Sequence, residues 1–356
     1  MAESSAGLPR NILVQAPNWL GDVIMTTPLL ELLADAGARP HLGVRRAWAS
    51  LFRDDPRVAG LVVHERRGAH GGLAGVWRHA RLVREGGFDA VLLGPPSFRA
   101  ALVALLTGVP RRIGHRGDGR DLLLTDRLPR RPRGQVPFSA EMTELAGPLG
   151  RDLAEADVPV PSLPGCAAIP PFDFPPGPPV IAVAPGTTYG AAKTWPVDRV
   201  AGLLARAARD HRVVLVGDTQ ARGFTAELEG LSTTAWGPPG DPGSRVVDLC
   251  GSTDLPGVVG VLKACRGFVG NDSGLMHLAG ALGVPTVGIF GSSNPEWTAP
   301  GGPWTATVNA RGYPCRPCYR RTCNQPRFCL RDVDPAEVFA ILTDLMDRAG
   351  AAGRAS

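Results

Sequence analysis

The 356-residue chain is predicted to be an α/β protein built of two doubly wound domains. Short runs that are apolar throughout alternate with helix-length segments, the pattern of parallel strands covered by helices on both faces. Nine prolines fall between Pro159 and Pro179, a density that excludes regular helix or central strand and divides the chain nearly in half. The length exceeds that of one ordinary domain and suffices for two cores. The expected organisation is a first domain over 1–158, an extended linker over 159–179 and a second domain over 180–356.

In the first half the strands are read from "NILVQAP" (11–17), "RPHLGVR" (39–45), "AGLVVHE" (59–65) and "FDAVLLG" (88–94). In the second half they are "PVIAVAPG" (179–186), "RVVLVGD" (212–218), "VVDLCGS" (246–252), "GFVGND" (267–272) and "PTVGIFG" (285–291). The stretch "PAEVFAILTDLMDR" predicts an amphipathic helix over 335–348 with proline in its first turn, followed by a frayed tail. Open sheets of this kind bind ligands at the carboxyl ends of their strands, so the chemistry is expected in strand-to-helix loops facing a cleft.

With 44% hydrophobic and 20% charged residues, the chain is neither disordered nor membrane-spanning in composition. The opening "MAESSAGLPR" lacks the apolar core of a signal peptide, so a cytoplasmic protein is expected. A net charge of +5 suits an anionic ligand or surface without calling for nucleic acid. Eight arginines lie from Arg111 to Arg133, interrupted by Asp118, Asp121 and Asp126; they form either a solvated face or a patch facing an anion.

Three loops could carry chemistry. In "APNWLGDVIMTTPLL" the first strand ends and Gly21-Asp22 opens a helix. An acid in a first turn is favoured by the helix dipole, so Asp22 is either a capping residue or a general base for a cleft-bound hydroxyl. The second loop, "APGTTYGAAKTWP", holds Lys193, one of two lysines beside thirty-six arginines. Two alanines separate Gly190 from Lys193, so the spacing is not that of a P-loop. Gly186, Thr187, Thr188 and Lys193 instead supply close backbone approach, hydroxyls and a compact cation, a set that suits a diphosphate unless Lys193 is an ordinary surface lysine.

In the third loop, "GFVGNDSGLMHLAGALGVP", a strand runs into a helix capped by Asp272 or Ser273. The N–H groups of Ser273, Gly274 and Leu275 lack partners at such a helix start and favour a phosphate. Asp272 would repel that phosphate unless it accepts hydrogen bonds from sugar hydroxyls, and His277 is either a core histidine or a ligand. One carboxylate in the first half and two anion-holding loops in the second describe group transfer from a nucleotide diphosphate donor. No D-x-D-like cluster offers a metal cage, so no metal and no cofactor is expected, and the leaving charge would fall to a helix start, threonines and Lys193.

"NWLGDVIMTTPLL", "PGTTYGAAKTWP" and "NDSGLMHLAGALGVPTVGIFG", in this order, resemble the ADP-heptose:lipopolysaccharide heptosyltransferases of glycosyltransferase family 9, heptosyltransferase II branch, over about 11–345. The resemblance implies a GT-B fold of two Rossmann-like domains and metal-independent inverting transfer from ADP-heptose to the first heptose of the lipopolysaccharide inner core. It places the base on Asp22, the donor-loop contacts on Thr187, Thr188 and Lys193, the sugar-holding aspartate on Asp272, and phosphate contacts on Gly274 and Leu275, with His277 following. The acceptor side is assigned Asn18, Arg111, Arg112, Arg116 and Arg120. Ala221 and Arg222 stand where some members carry an acidic residue, and Thr253 where some carry methionine.

A monomer at, or peripheral to, the cytoplasmic face of the inner membrane is expected, with no nucleic-acid partner. Two other readings remain open: a related transferase with a small-molecule or other glycan acceptor, and a non-catalytic nucleotide-sugar binding protein. Cys315, Cys318, Cys323 and Cys329 crowd into fifteen residues at spacings that match no standard metal site; either a metal cluster or a structural loop near the cleft would explain them.

Overall fold

Ile12, Leu13, Val14 and Gln15 are all buried, as a strand in the middle of a covered parallel sheet requires. In a computed structural model that describes residues 8–65, 68–231, 234–238, 241 and 243–355, this strand, β1 (Ile12–Gln15), lies in a six-stranded sheet. Its other members are β2 (His41–Arg45), β3 (Gly60–His64), β4 (Ala90–Leu93), β5 (Arg111–His115) and β6 (Asp126–Leu128). The order is β3-β2-β1-β4-β5-β6 and every pairing is parallel. A second sheet holds β7 (Val180–Ala184), β8 (Arg212–Leu215), β9 (Val246–Asp248), β10 (Gly267–Asn271), β11 (Thr286–Phe290) and β12 (Thr305–Asn309), ordered β12-β11-β10-β7-β8-β9 and again all parallel. Numbered from its own first strand, each sheet has the order 3-2-1-4-5-6 of a doubly wound fold, with the switch point between strands one and four.

The nine apolar runs read as strands are strands. β5, β6 and β12 are additional, at or next to sheet edges where burial is incomplete and apolar patterning fades. Arg111 and Arg112 lie on β5, within the arginine-rich stretch 111–133. Arg111 bridges to Asp126 of the neighbouring strand at 2.8 Å, a cross-strand ion pair.

The chain divides into compact units Met1–Cys166 and Ala167–Ser356. The proline-rich segment is therefore not a free tether: its first part packs on the first unit and its second part on the second. Ser162 receives two hydrogen bonds from Arg57 and donates its N–H to Thr27. Beyond the boundary, Lys263 donates to the carbonyls of Ala167 and Ile169, which accounts for the second lysine of the chain.

Helices cover each sheet through apolar stripes. In Val197–Ala207, Val200, Leu203, Leu204 and Ala207 are buried at i, i+3, i+4 and i+7. They share a core with Val338, Leu342, Leu345 and Met346 of the last helix, each of the valine, leucine and methionine side chains contributing about 1.5–3 kcal/mol by leaving water. That helix runs Pro335–Ala355, past the end expected at 348, because 349–355 contains no proline and four alanines that continue the helix readily. Residues 1–7, on which the expectation of no leader rests, and Ser356 of the tail lie outside the described residues.

Candidate active site

In the second unit the loops after β7 and β10 meet at the switch point. Asn271 at the end of β10 is buried and joins them: its Oδ1 accepts from the Trp195 N–H at 2.9 Å and its Nδ2 donates to the Pro185 carbonyl at 2.7 Å. The joined loops place Lys193 Nζ 2.5 Å from Asp272 Oδ2, with the lysine side chain 15% and the aspartate 6% exposed. Ser293, after β11, donates to the same oxygen. Oδ2 is thereby doubly satisfied, and Oδ1 faces His277 Nε2 at 4.0 Å.

His277 is buried in the helix Gly274–Ala281, and its Nδ1 has no hydrogen-bond partner among the described residues. Burial pushes it down to about 4, the nearby Asp272 carboxylate opposing and Lys193 reinforcing the shift, so it is neutral at physiological pH. Ser273 occupies the N-cap position with extended backbone but makes no side-chain cap, and its Oγ has no hydrogen-bond partner among the described residues. The N–H groups of Ser273, Gly274 and Leu275 have no carbonyl a turn behind them. An ammonium, a helix start and an unengaged hydroxyl at one end of a sheet make an anion-binding corner. Of the donor loop, Thr188 is exposed, while Thr187 Oγ1 accepts from the Tyr189 N–H at 3.3 Å.

Tyr189, Ser293, Asn271 and Arg321 escape sequence reasoning. The Tyr189 ring lies 4.6 Å from Lys193 Nζ and 5.5 Å from the Arg321 guanidinium, and its hydroxyl donates to the Tyr319 carbonyl at 2.7 Å. Arg321 also accepts, at its carbonyl, the Ala192 N–H at 2.9 Å. At Gly190, φ is +144°, and a Cβ there would fall 2.5 Å from that carbonyl. The glycine is thus required by close backbone approach.

The segment that buttresses this loop is the cysteine-rich one. Cys315 and Cys323 are exposed, Cys318 is partly buried and Cys329 is buried. With Arg316 all four line a pocket of about 380 Å³, its open mouth included. Arg316 donates to the carbonyls of Gly291 at 2.7 Å and Phe290 at 3.0 Å and to Asn309 Oδ1 at 2.9 Å, binding the segment to the ends of β11 and β12. Among the described residues no group of three or more His, Cys, Asp or Glu side chains could hold a metal ion.

In the first unit, Asp22 sits in the first turn of the helix Leu20–Ile24, partly exposed, directly after β1; its carbonyl accepts from Thr26 Oγ1 at 2.8 Å. Asn18 is fixed through its carbonyl, which accepts from Arg45 and from Trp48 Nε1, both at 3.1 Å. The arginines assigned to the acceptor do not form one patch. Arg116 is exposed, Arg111 is paired with Asp126, and Arg112 donates to the Leu123 and Val109 carbonyls. Arg120 does not fit the acceptor role assigned to it: it is fully buried, and its guanidinium donates to the His115 and Pro95 carbonyls, so it tethers its own loop.

Residues 76–328 match the model of glycosyltransferase family 9 (heptosyltransferase). The lipopolysaccharide heptosyltransferase 2 proteins of Salmonella typhimurium and Escherichia coli are each 29% identical over 314 residues, covering 81% of this chain and 85% of theirs. The lipooligosaccharide heptosyltransferase 2 of Haemophilus influenzae is 26% identical over 308 residues, covering 82% and 86%. The solved E. coli ADP-heptose LPS heptosyltransferase II superposes with a TM-score of 0.74 at 26% identity, covering 95% of this chain and 99% of that one. A family 9 glycosyltransferase from Veillonella parvula gives 0.78 at 18% identity over 95% and 97%, a likeness of fold alone. With two doubly wound units in the GT-B manner and a family match over most of its length, the chain belongs to glycosyltransferase family 9 and is a glycosyltransferase.

Proposed function

We propose that the protein is an inverting heptosyltransferase of the heptosyltransferase 2 kind, moving heptose from ADP-heptose to the first heptose of the lipopolysaccharide inner core. The observation that carries this reading is the Lys193–Asp272 pair beside a helix start, at the switch point of a family 9 sheet. Thr187, Thr188, Lys193 and the amides of Ser273, Gly274 and Leu275 hold the diphosphate, and Asp272 Oδ1 takes a hydroxyl of the donor sugar. Asp22 removes the proton from the acceptor hydroxyl as its oxygen bonds to the anomeric carbon. The bond from that carbon to the phosphate oxygen breaks, and its electron pair leaves with ADP. The developing charge meets fixed dipoles and one ammonium, so no divalent ion is required. The protein acts as a monomer at the cytoplasmic membrane face. Among the described residues no helix is long and apolar enough to cross a membrane.

The test is incubation with ADP-heptose and either heptosylated core or bare Kdo-lipid A, with and without a chelator, read by mass spectrometry. Heptose should be added to the former alone, chelator or not. Addition to neither acceptor moves the assignment to a small or different glycan acceptor, donor binding without any turnover moves it to a nucleotide-sugar binding protein, and loss of turnover with chelator refutes the metal-free step.

A further inference from the structure

A pocket of about 580 Å³, its mouth included, opens within the first unit between β1, β4 and the helices Gly72–Glu85 and Phe98–Thr107. Its aliphatic wall includes Leu13, Val91, Leu93 and Val103; its polar lining includes Gln15, Asn18, Ser97 and three histidines, His64, His70 and His79. His79 is only 8% exposed, and its Nε2 has no hydrogen-bond partner among the described residues, a costly arrangement for a buried polar atom that lines a pocket. Its ring stacks on His64, with centroids 4.7 Å apart, and lies 5.5 Å from His70. Gln15, 7% exposed, spends its amide nitrogen on the Gly43 and Ala16 carbonyls, leaving its side-chain oxygen to accept. Asn18 lies four residues before Asp22, so the pocket adjoins the proposed base along the chain.

The chemistry of the lining selects the ligand. Burial, with His64, His70 and Arg99 also opposing a proton, holds His79 down at about 3. His70 is lowered as well, by burial and by Arg78, Arg99 and Arg46, against the pull of Glu65. His79 and His70 are thereby held toward the neutral form, in which an imidazole has one donor and one acceptor. Arg99, which also lines the pocket, directs N–H groups to the carbonyls of Gly72 and His70, fixing its guanidinium toward the backbone. Neutral groups that both donate and accept, set beside an aliphatic wall, complement a pyranose with hydroxyls on its edge and C–H bonds on its face.

Resting on the heptosyl-transfer reading above, we propose that this pocket seats the acceptor sugar as an uncharged polyol, held by His79, Gln15 and Asn18 rather than by arginines. The test uses the full-length chain labelled with ¹⁵N-histidine and titrated with the lipid-free inner-core oligosaccharide ending in heptose. The His79 and His64 imidazole resonances should shift saturably. His79→Leu should weaken oligosaccharide affinity about tenfold while leaving ADP affinity unchanged, and His79→Gln, which restores a polar atom near Nε2, should recover most of it. Ala100→Leu, which fills the pocket while leaving all three histidines in the sequence, should weaken it comparably. Imidazoles unmoved at oligosaccharide concentrations that support transfer, or both Leu variants folded by thermal melting with wild-type affinity, would overturn the proposal. Transfer with silent histidines sinks this seat alone; shifting histidines without transfer sink the catalytic reading alone.

Discussion

The two units answer the same topological question with opposite electrostatics. Each places its first and fourth strands side by side and delivers two loops to the switch point: those after β1 and β4 in one unit, those after β7 and β10 in the other. In the second unit these loops carry an ammonium against a carboxylate, with a helix start beside them. In the first they carry Asp22, Asn18 and Ser97, beside a pocket whose histidines come from the end of β3, the loop after it and the helix Gly72–Glu85. The sheet decides where a ligand can be met, and the loop residues decide whether it is met with charge or with hydrogen bonds.

The comparison breaks most sharply at Asp22. Asp22→Asn keeps the shape and removes the base, so kcat should fall by about 10²–10⁴-fold with ADP-heptose affinity retained, measured by ADP release and calorimetry. Wild-type turnover in this variant would leave the first unit without a catalytic role. Next is Lys193→Ala, which strands a largely buried carboxylate. It should destabilise the second unit by about 3–5 kcal/mol in denaturant unfolding and weaken ADP binding, and Lys193→Ala with Asp272→Asn should regain part of the stability but not the affinity. A double variant as unstable as the single one would show that the pair is not what holds the two loops.

Acid should act on both units in the same direction. The folded-state values of His277, about 4, and His79, about 3, lie below the ordinary 6.5. Between those values the unfolded chain binds protons that the folded chain refuses. Stability is therefore whole above pH 6.5 and declines as pH falls, by about 1.4 kcal/mol per unit for each such histidine. Unfolding curves from pH 7 to 4.5 check this, and His277→Asn should remove one proton's share of the slope. The mildest change is Ser293→Ala, which deletes one of the two donors on Asp272 Oδ2. It should cost about 1 kcal/mol, read as a several-fold rise in donor KM with acceptor KM unmoved.

How much of this was legible beforehand follows from how local each signal is. Fully buried parallel strands announce themselves as unbroken apolar runs, so nine of the strands could be read directly. β5 could not, because "RRIGH" exposes part of two arginines that satisfy themselves across the strand and back to carbonyls. The anion corner was legible because glycines, threonines and a rare lysine sit close in sequence. Ser293, Tyr189 and Arg321 were not, since each acts only through a contact that the fold creates across many residues. The histidine pocket was hidden for the same reason: His64, His70 and His79 lie on a strand, a loop and a helix, at no spacing that marks a site. Arg120 misled in the other direction, as a basic residue in a basic stretch whose charge is turned wholly inward.

The shared oxygen of Asp272 also bears on which cellular anions the second unit will ignore. Lys193 is already engaged by that carboxylate, so inorganic phosphate or a bare nucleotide has to compete for the ammonium and leaves the acid unmatched if it succeeds. A molecule bearing both phosphates and sugar hydroxyls can exchange partners with the pair, giving each member a replacement in one event. On the proposed donor reading, discrimination against abundant phosphates would begin at this single contact.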